Sequence, residues 1–170
     1  MASLIENLIW TLEEENQEYK KLLELAKEKT SVIIQGDVAK LNEMTAREQE
    51  HTDRLAALEG RREEVIGDIA TVLNKDVGTL TVKHIIELLA GQDKVQQMLS
   101  DVHDRLKLTL NDMVVINNVN KQLIEESLEI VNFNINYING LNQLPETANY
   151  NKGAYNQQSP LVNSRFDAKN

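Results

Sequence analysis

A chain of 170 residues with a formal charge of −9, no cysteine, two prolines and few aromatic residues fits a single domain built from long helices and excludes several function classes. The acidic surface repels phosphates, so nucleic acid is not an expected partner, and the missing thiols remove disulfides, thiolate catalysis and cysteine metal ligation. No apolar run approaches the roughly 18 residues of a membrane helix and no signal-peptide pattern opens the chain, so no stable membrane insertion and a soluble, cytoplasmic protein are expected.

Ser3 and Glu6 have the spacing of a capping box ahead of a first helix. Its apolar line is Ile5, Leu8, Leu12, Tyr19, Leu22, Leu23, Ala26 and Ile33, with Glu13, Glu14, Glu15, Lys20 and Lys21 expected outside. Gly36-Asp37 ends it: glycine suits the left-handed position after a helix, and Asp37 caps the next one. A connection this short makes the two helices an antiparallel hairpin.

The second helix is expected from about Val38 to Leu73, with Leu41, Met44, His51, Leu55, Leu58, Val65, Ile66, Ile69 and Leu73 in line. Its middle is dense in mixed charge, the pattern of a solvated face. Gly60 and Gly67 would permit either a close helix crossing or a bend. After a turn from Asn74 to Thr81, Thr81 can cap a short helix, Val82 to Ala90, which Gly91-Gln92-Asp93 breaks.

Asp93, read as a cap, opens the longest stretch. From there to Leu144 there is no proline, and the one internal glycine past the start is Gly140. One apolar line runs through Leu99, Val102, Leu106, Leu110, Met113, Ile116, Leu123, Ile124, Leu128, Val131, Ile135, Ile138 and Leu141, in steps mostly of three and four. At 1.5 Å per residue this helix is about 75 Å long, some 20 Å longer than either hairpin helix. Its N-terminal two-thirds is expected to pack on the hairpin and its C-terminal third to lie beyond cover. The domain is taken as residues 1–144. Residues 145–170 change abruptly to Asn, Gln, Ser and small residues without a period, and are expected to form a flexible tail.

Catalytic and metal chemistry find little support. Glu48 and His51 have the Glu-x-x-His spacing of di-iron bundles, but such a site needs a second motif. His84 and His103 are preceded at that spacing by Thr81 and Ser100. No nucleophile elbow, phosphate loop, zinc-protease motif or calcium loop occurs. The reading is a non-enzyme without cofactor or metal. A coiled-coil tether without a client is the alternative to a binding protein, and a ferritin-like metal protein is a distant third. The asparagines Asn117, Asn118, Asn120, Asn132, Asn134, Asn136, Asn139 and Asn142 are unusual on a long helix; they suit either a solvated face or hydrogen bonding along a helix-in-groove contact.

Asn117, Asn120, Leu123, Ile124, Leu128, Val131, Phe133 and Gly140 resemble the C-terminal helix of the FlgN-type flagellar export chaperones. Tyr150-Asn151-Lys152-Gly153 and Ser164 to Lys169 are similar to elements that follow that helix, and Leu55-Ala56-Ala57-Leu58-Glu59 fits the charged second helix. The resemblance spans nearly the whole chain, though the short helix aligns loosely. It implies a cytoplasmic chaperone that binds the helical termini of hook–filament junction proteins, keeps them from associating early and hands them to the export apparatus. The client site is expected at Leu123, Ile124, Leu128, Val131, Ile135, Ile138 and Leu141, with Asn117 and Asn120 beside it. Pairing of this stripe with its own copy in a homodimer, or folding back under the tail, is the competing arrangement.

Overall fold

The computed structural model describes residues 2–143. Its elements are α1 (Ala2–Gln35), α2 (Val38–Leu73), a single 3-10 turn (Val77–Thr79), α3 (Val82–Leu88) and α4 (Asp93–Gln143). Among the described residues there is no strand, and the all-α class expected from the sequence is the one adopted. Residues 145–170, expected to be a flexible tail, lie outside the described residues.

The breaks between helices have local causes. Gly36 adopts a φ of +69°, which an L side chain resists. The Asp37 carboxylate then accepts the Lys40 amide at 3.0 Å and starts α2. The Thr81 hydroxyl accepts the His84 amide at 3.2 Å and starts α3. Two expected caps differ. α1 already includes Ala2, so Ser3 lies inside the helix. Asp93 is the first residue of α4, while the Gln92 carbonyl accepts the Gln96 amide at 3.0 Å. Asp93 therefore acts through its charge on the first turn rather than as the cap. α3 closes at Leu88, two residues short of Ala90, where the bonds tighten to three-residue steps: the Leu89 amide is shared between the Ile85 and Ile86 carbonyls, and the Ala90 amide donates to the Glu87 carbonyl.

The chain divides into two units after Ile130. Within the first, α1 and α2 are antiparallel: Lys29 meets Glu48 at 2.6 Å, and Glu15 meets Arg62 at 3.4 Å, farther from the turn. α4 runs parallel to α1. Arg105 reaches Glu13 at 2.7 Å, Thr109 reaches Asn16 at 2.8 Å and Asn120 reaches the Ala26 carbonyl at 2.8 Å. The main core joins Ile5, Leu8 and Leu12 of α1 to Val65 and Ile69 of α2, Ile85 of α3, and Leu99, Val102 and Leu106 of α4. A smaller cluster of Leu25, Val32 and Met44 lies closer to the Gly36 turn. Gly60 and Gly67 mediate no close crossing, since an added Cβ at either meets nothing within 4 Å.

Between the two apolar clusters α1 buries polar side chains: Glu15, Asn16 and Glu18. Glu15 was expected outside. It is inside because α1 is covered by both α2 and α4, so its buried arc is wider than one stripe. The two carboxyl groups shift in opposite directions. Burial raises Glu15, and the Glu59 charge adds to this, while Arg62 opposes both without prevailing. Burial would also raise Glu18, but hydrogen bonds and charges from His51 and Lys21 outweigh it and hold the carboxyl below its usual range. His51, which lies on the α2 apolar line, thus serves as a partner for Glu18.

Two outcomes follow from this packing. Leu106→Ala should cost about 2–5 kcal/mol of unfolding free energy, as buried leucine truncations do, read as a lowered midpoint in urea. The carboxylates should shape the acid limb in opposite senses. A depressed Glu18 contributes stability above the unfolded value of about 4.3, and that contribution is lost as pH falls through its folded value. A raised Glu15 destabilises when ionised, and that cost is relieved as pH falls through its folded value toward about 4.3. Glu18→Gln should therefore cost about 1–2 kcal/mol at neutral pH and flatten the decline below pH ~4.3. Glu15→Gln should remove the gain on acidification above that value. Urea melts across pH 3–7 check both.

Candidate partner-binding surface

From Leu99 to Asn120 the covered face of α4 advances in strict steps of three and four: Leu99, Val102, Leu106, Thr109, Met113, Ile116 and Asn120. All but the half-buried Ile116 are buried. The pairs to Glu13 and Asn16 hold α4 in a register offset by 92–93 residues from α1. In that register the last residue of α1, Gln35, extrapolates to about Leu128 of α4. The burial pattern changes accordingly. Leu123 and Ile124 are half-buried, and every side chain from Glu125 to Leu141 is exposed.

Of the expected site residues, Leu128, Val131, Ile135, Ile138 and Leu141 are exposed, with Leu128 at 57% and Ile135 at 50%. Asn117 is exposed as well. Asn120 is not part of that surface. It is buried at 5%; its amide donates to the Ala26 carbonyl at 2.8 Å, and its carbonyl oxygen accepts the Thr30 hydroxyl at 2.6 Å. Three residues before Leu123, it occupies the α1-facing seam, with both its amide nitrogen and its carbonyl oxygen engaged by α1.

The exposed segment also holds Ile130, Phe133 and Tyr137, which the single-line reading left out of the site. At about 100° per residue, Ile124, Leu128, Val131, Ile135 and Ile138 form one strip, spaced 4-3-4-3. Ile130, Phe133, Tyr137 and Leu141 form a second, whose centre is roughly 130° away around the helix. Leu141 thus belongs with the second strip rather than the first. Phe133 and Tyr137 are stacked, with ring centroids 6.5 Å apart and planes 12° from parallel. The step of four between these two aromatics was a readable signal for the second strip.

Charge is confined to the start of the exposed stretch. Lys121 pairs with Glu125 at 3.9 Å and Gln122 donates to Glu126 at 2.8 Å. Glu129 is the last charged residue before Gln143. Beyond it the polar side chains are amides and one phenol. The segment brings aliphatic and aromatic groups to solvent. Among the described residues no group of three or more His, Cys, Asp or Glu side chains is disposed to hold a metal ion. No described helix is long and apolar enough to cross a membrane.

Asn120→Ala should lower stability by about 1–3 kcal/mol, since it breaks a buried amide bridge and leaves the Thr30 hydroxyl only its longer bond to the Ala26 carbonyl, 3.3 Å. Asn117→Ala should leave stability within about 0.5 kcal/mol. Parallel thermal or urea melts of the two variants separate the buried amide from the exposed one.

The family model described as FlgN protein matches residues 1–158. No curated protein sequence and no solved structure matches the chain. The match runs through the hairpin, the short helix and the whole of α4, including its exposed segment. The chain belongs to the FlgN family, the flagellar export chaperones that its sequence resembles.

Proposed function

We propose that this protein is a cytoplasmic chaperone for hook–filament junction proteins, binding their helical termini before export through the exposed segment of α4. The observation that carries the reading is the strip of Ile124, Leu128, Val131, Ile135 and Ile138. It passes from half-buried to exposed near the point where the α1 register runs out. Exposed aliphatic strips of this kind mark interaction surfaces, and steps of three and four suit an amphipathic client helix laid alongside. These side chains are about half exposed, so cover by the client contributes about 0.8–1.5 kcal/mol for each, half the value for burying a whole aliphatic side chain. Five such residues suffice to meet the lower estimates of association entropy, about 4 kcal/mol. A client helix covered in this way cannot pair with another client. The family membership supports the export role, and the acidic balance of the chain suits a carrier that stays dispersed when unloaded. Handing the client to the export apparatus completes the role.

The same 4-3-4-3 spacing favours a second reading, self-pairing of the strip as a coiled coil in a homodimer. One pair of measurements separates the two. Leu128→Asp with Ile135→Asp should weaken binding of a purified junction protein about a hundredfold or more. The melting midpoint should stay near normal, because both residues are exposed in the isolated chain. Undiminished client binding by the folded variant would place the client site elsewhere. If the same variant instead changes from dimer to monomer in sedimentation, the strip is a self-association seam.

A further inference from the structure

We propose that the exposed end of α4 is enclosed by two helices of one client, so that the chaperone helix fills a groove rather than offering one. This rests on the client-binding reading above and specifies the shape of the partner. A single partner helix covers a stripe about 100° wide. Val131, Ile135 and Ile138 occupy one such stripe; Phe133, Tyr137 and Leu141 occupy another, roughly 130° away. A helix laid on the first leaves Phe133, 69% exposed, and Tyr137, 60% exposed, facing water. Together the strips span about 200° of the helix with Asn134 between them, and a helix carrying apolar residues over that much of its surface is one that its environment surrounds.

Area points the same way. From Leu123 to Leu141 the helix is about 28 Å long. A strip about 10 Å wide along it offers roughly 280 Å², far below the ~800 Å² per partner of a specific interface. Enclosing the second strip, about 17 Å from Ile130 to Leu141, adds more than half as much contact again. Charge is consistent with enclosure: between Glu129 and Gln143 no ionised group would have to be desolvated. The remaining face, with Asn132, Asn136 and Asn139, stays hydrated. The stacked Phe133 and Tyr137 rings form a flat wall on which the second client helix seats. The fitting partner is therefore a pair of neighbouring amphipathic helices with an uncharged, aliphatic-lined groove between them.

The test uses the full chain and purified junction proteins, with two double variants compared by calorimetry. Val131→Asp with Ile135→Asp alters the first strip; Phe133→Asp with Tyr137→Asp alters the second. The expected result is at least a tenfold loss of affinity from each, with helical content retained by circular dichroism. In addition, photo-crosslinkers placed singly at Ile135 and Tyr137 should mark two different helices of the client. If only the first variant loses affinity, or both crosslinkers mark one client helix, the two-helix enclosure is wrong while the client-binding reading stands. If the second variant binds normally but loses a dimer in sedimentation, a second copy covers Phe133 and Tyr137, and the enclosure is again wrong. If neither variant loses affinity, both readings fall.

Discussion

Placement of α4 depends on two buried amide side chains. Asn16 accepts the Thr109 hydroxyl, and Asn120 donates to the Ala26 carbonyl while accepting from Thr30. The apolar contacts around them are tolerant: leucine and valine pack almost as well one turn away. A hydrogen bond to a buried partner is not tolerant, because a slip by one turn strands each amide at a cost of about 1–3 kcal/mol, while the threonine hydroxyls fall back on carbonyls of their own helices. The amides thus fix the register that leucines alone would leave loose. That register decides where the cover from α1 ends, and hence which residues of α4 face water. The cost of this arrangement is visible too, since the Asn16 Nδ2 has no hydrogen-bond partner.

The sequence was a good guide to where helices begin and end because those points depend on a few local groups. Gly36 with Asp37, Thr81, and Gly91 with its φ of +95° each act through their own backbone, and each could be read without knowing the fold. The apolar line from Leu99 to Met113 was equally plain. What could not be read was the width of a buried face. Glu15 and Glu18 look like solvated acids on a charged helix; they are inside because each meets side chains of α2 far along the chain, Arg62 for Glu15 and His51 and Arg54 for Glu18. Asn120 looked like a partner-facing amide for the same reason. Its role depends on Ala26 and Thr30, more than 85 residues earlier in the chain.

The exposed segment shows a different limit. Reading one apolar line to Leu141 captured the 124–138 strip but merged Leu141 into it and left out Ile130, Phe133 and Tyr137. A period of 3.6 describes one face at a time, and a helix with two apolar faces defeats a search for one. The absence of charge after Glu129 was the better guide. Elsewhere acids and bases occupy the outward positions of the helices; here asparagine does, and a hydrated amide is far easier to take out of water than a carboxylate.

That uncharged stretch bears on the timing of encounters. Charged docking faces draw partners in along field lines and can raise association rates to about 10⁸–10⁹ M⁻¹s⁻¹, whereas neutral ones depend on undirected collision at about 10⁵–10⁶ M⁻¹s⁻¹. A surface of aliphatic groups, two stacked rings and amides belongs to the second kind. Different partners would then arrive at similar rates and differ in how long they stay. Ionic strength would have little leverage on such a contact, so the lifetime of the proposed complex would be set by how completely the apolar side chains are enclosed.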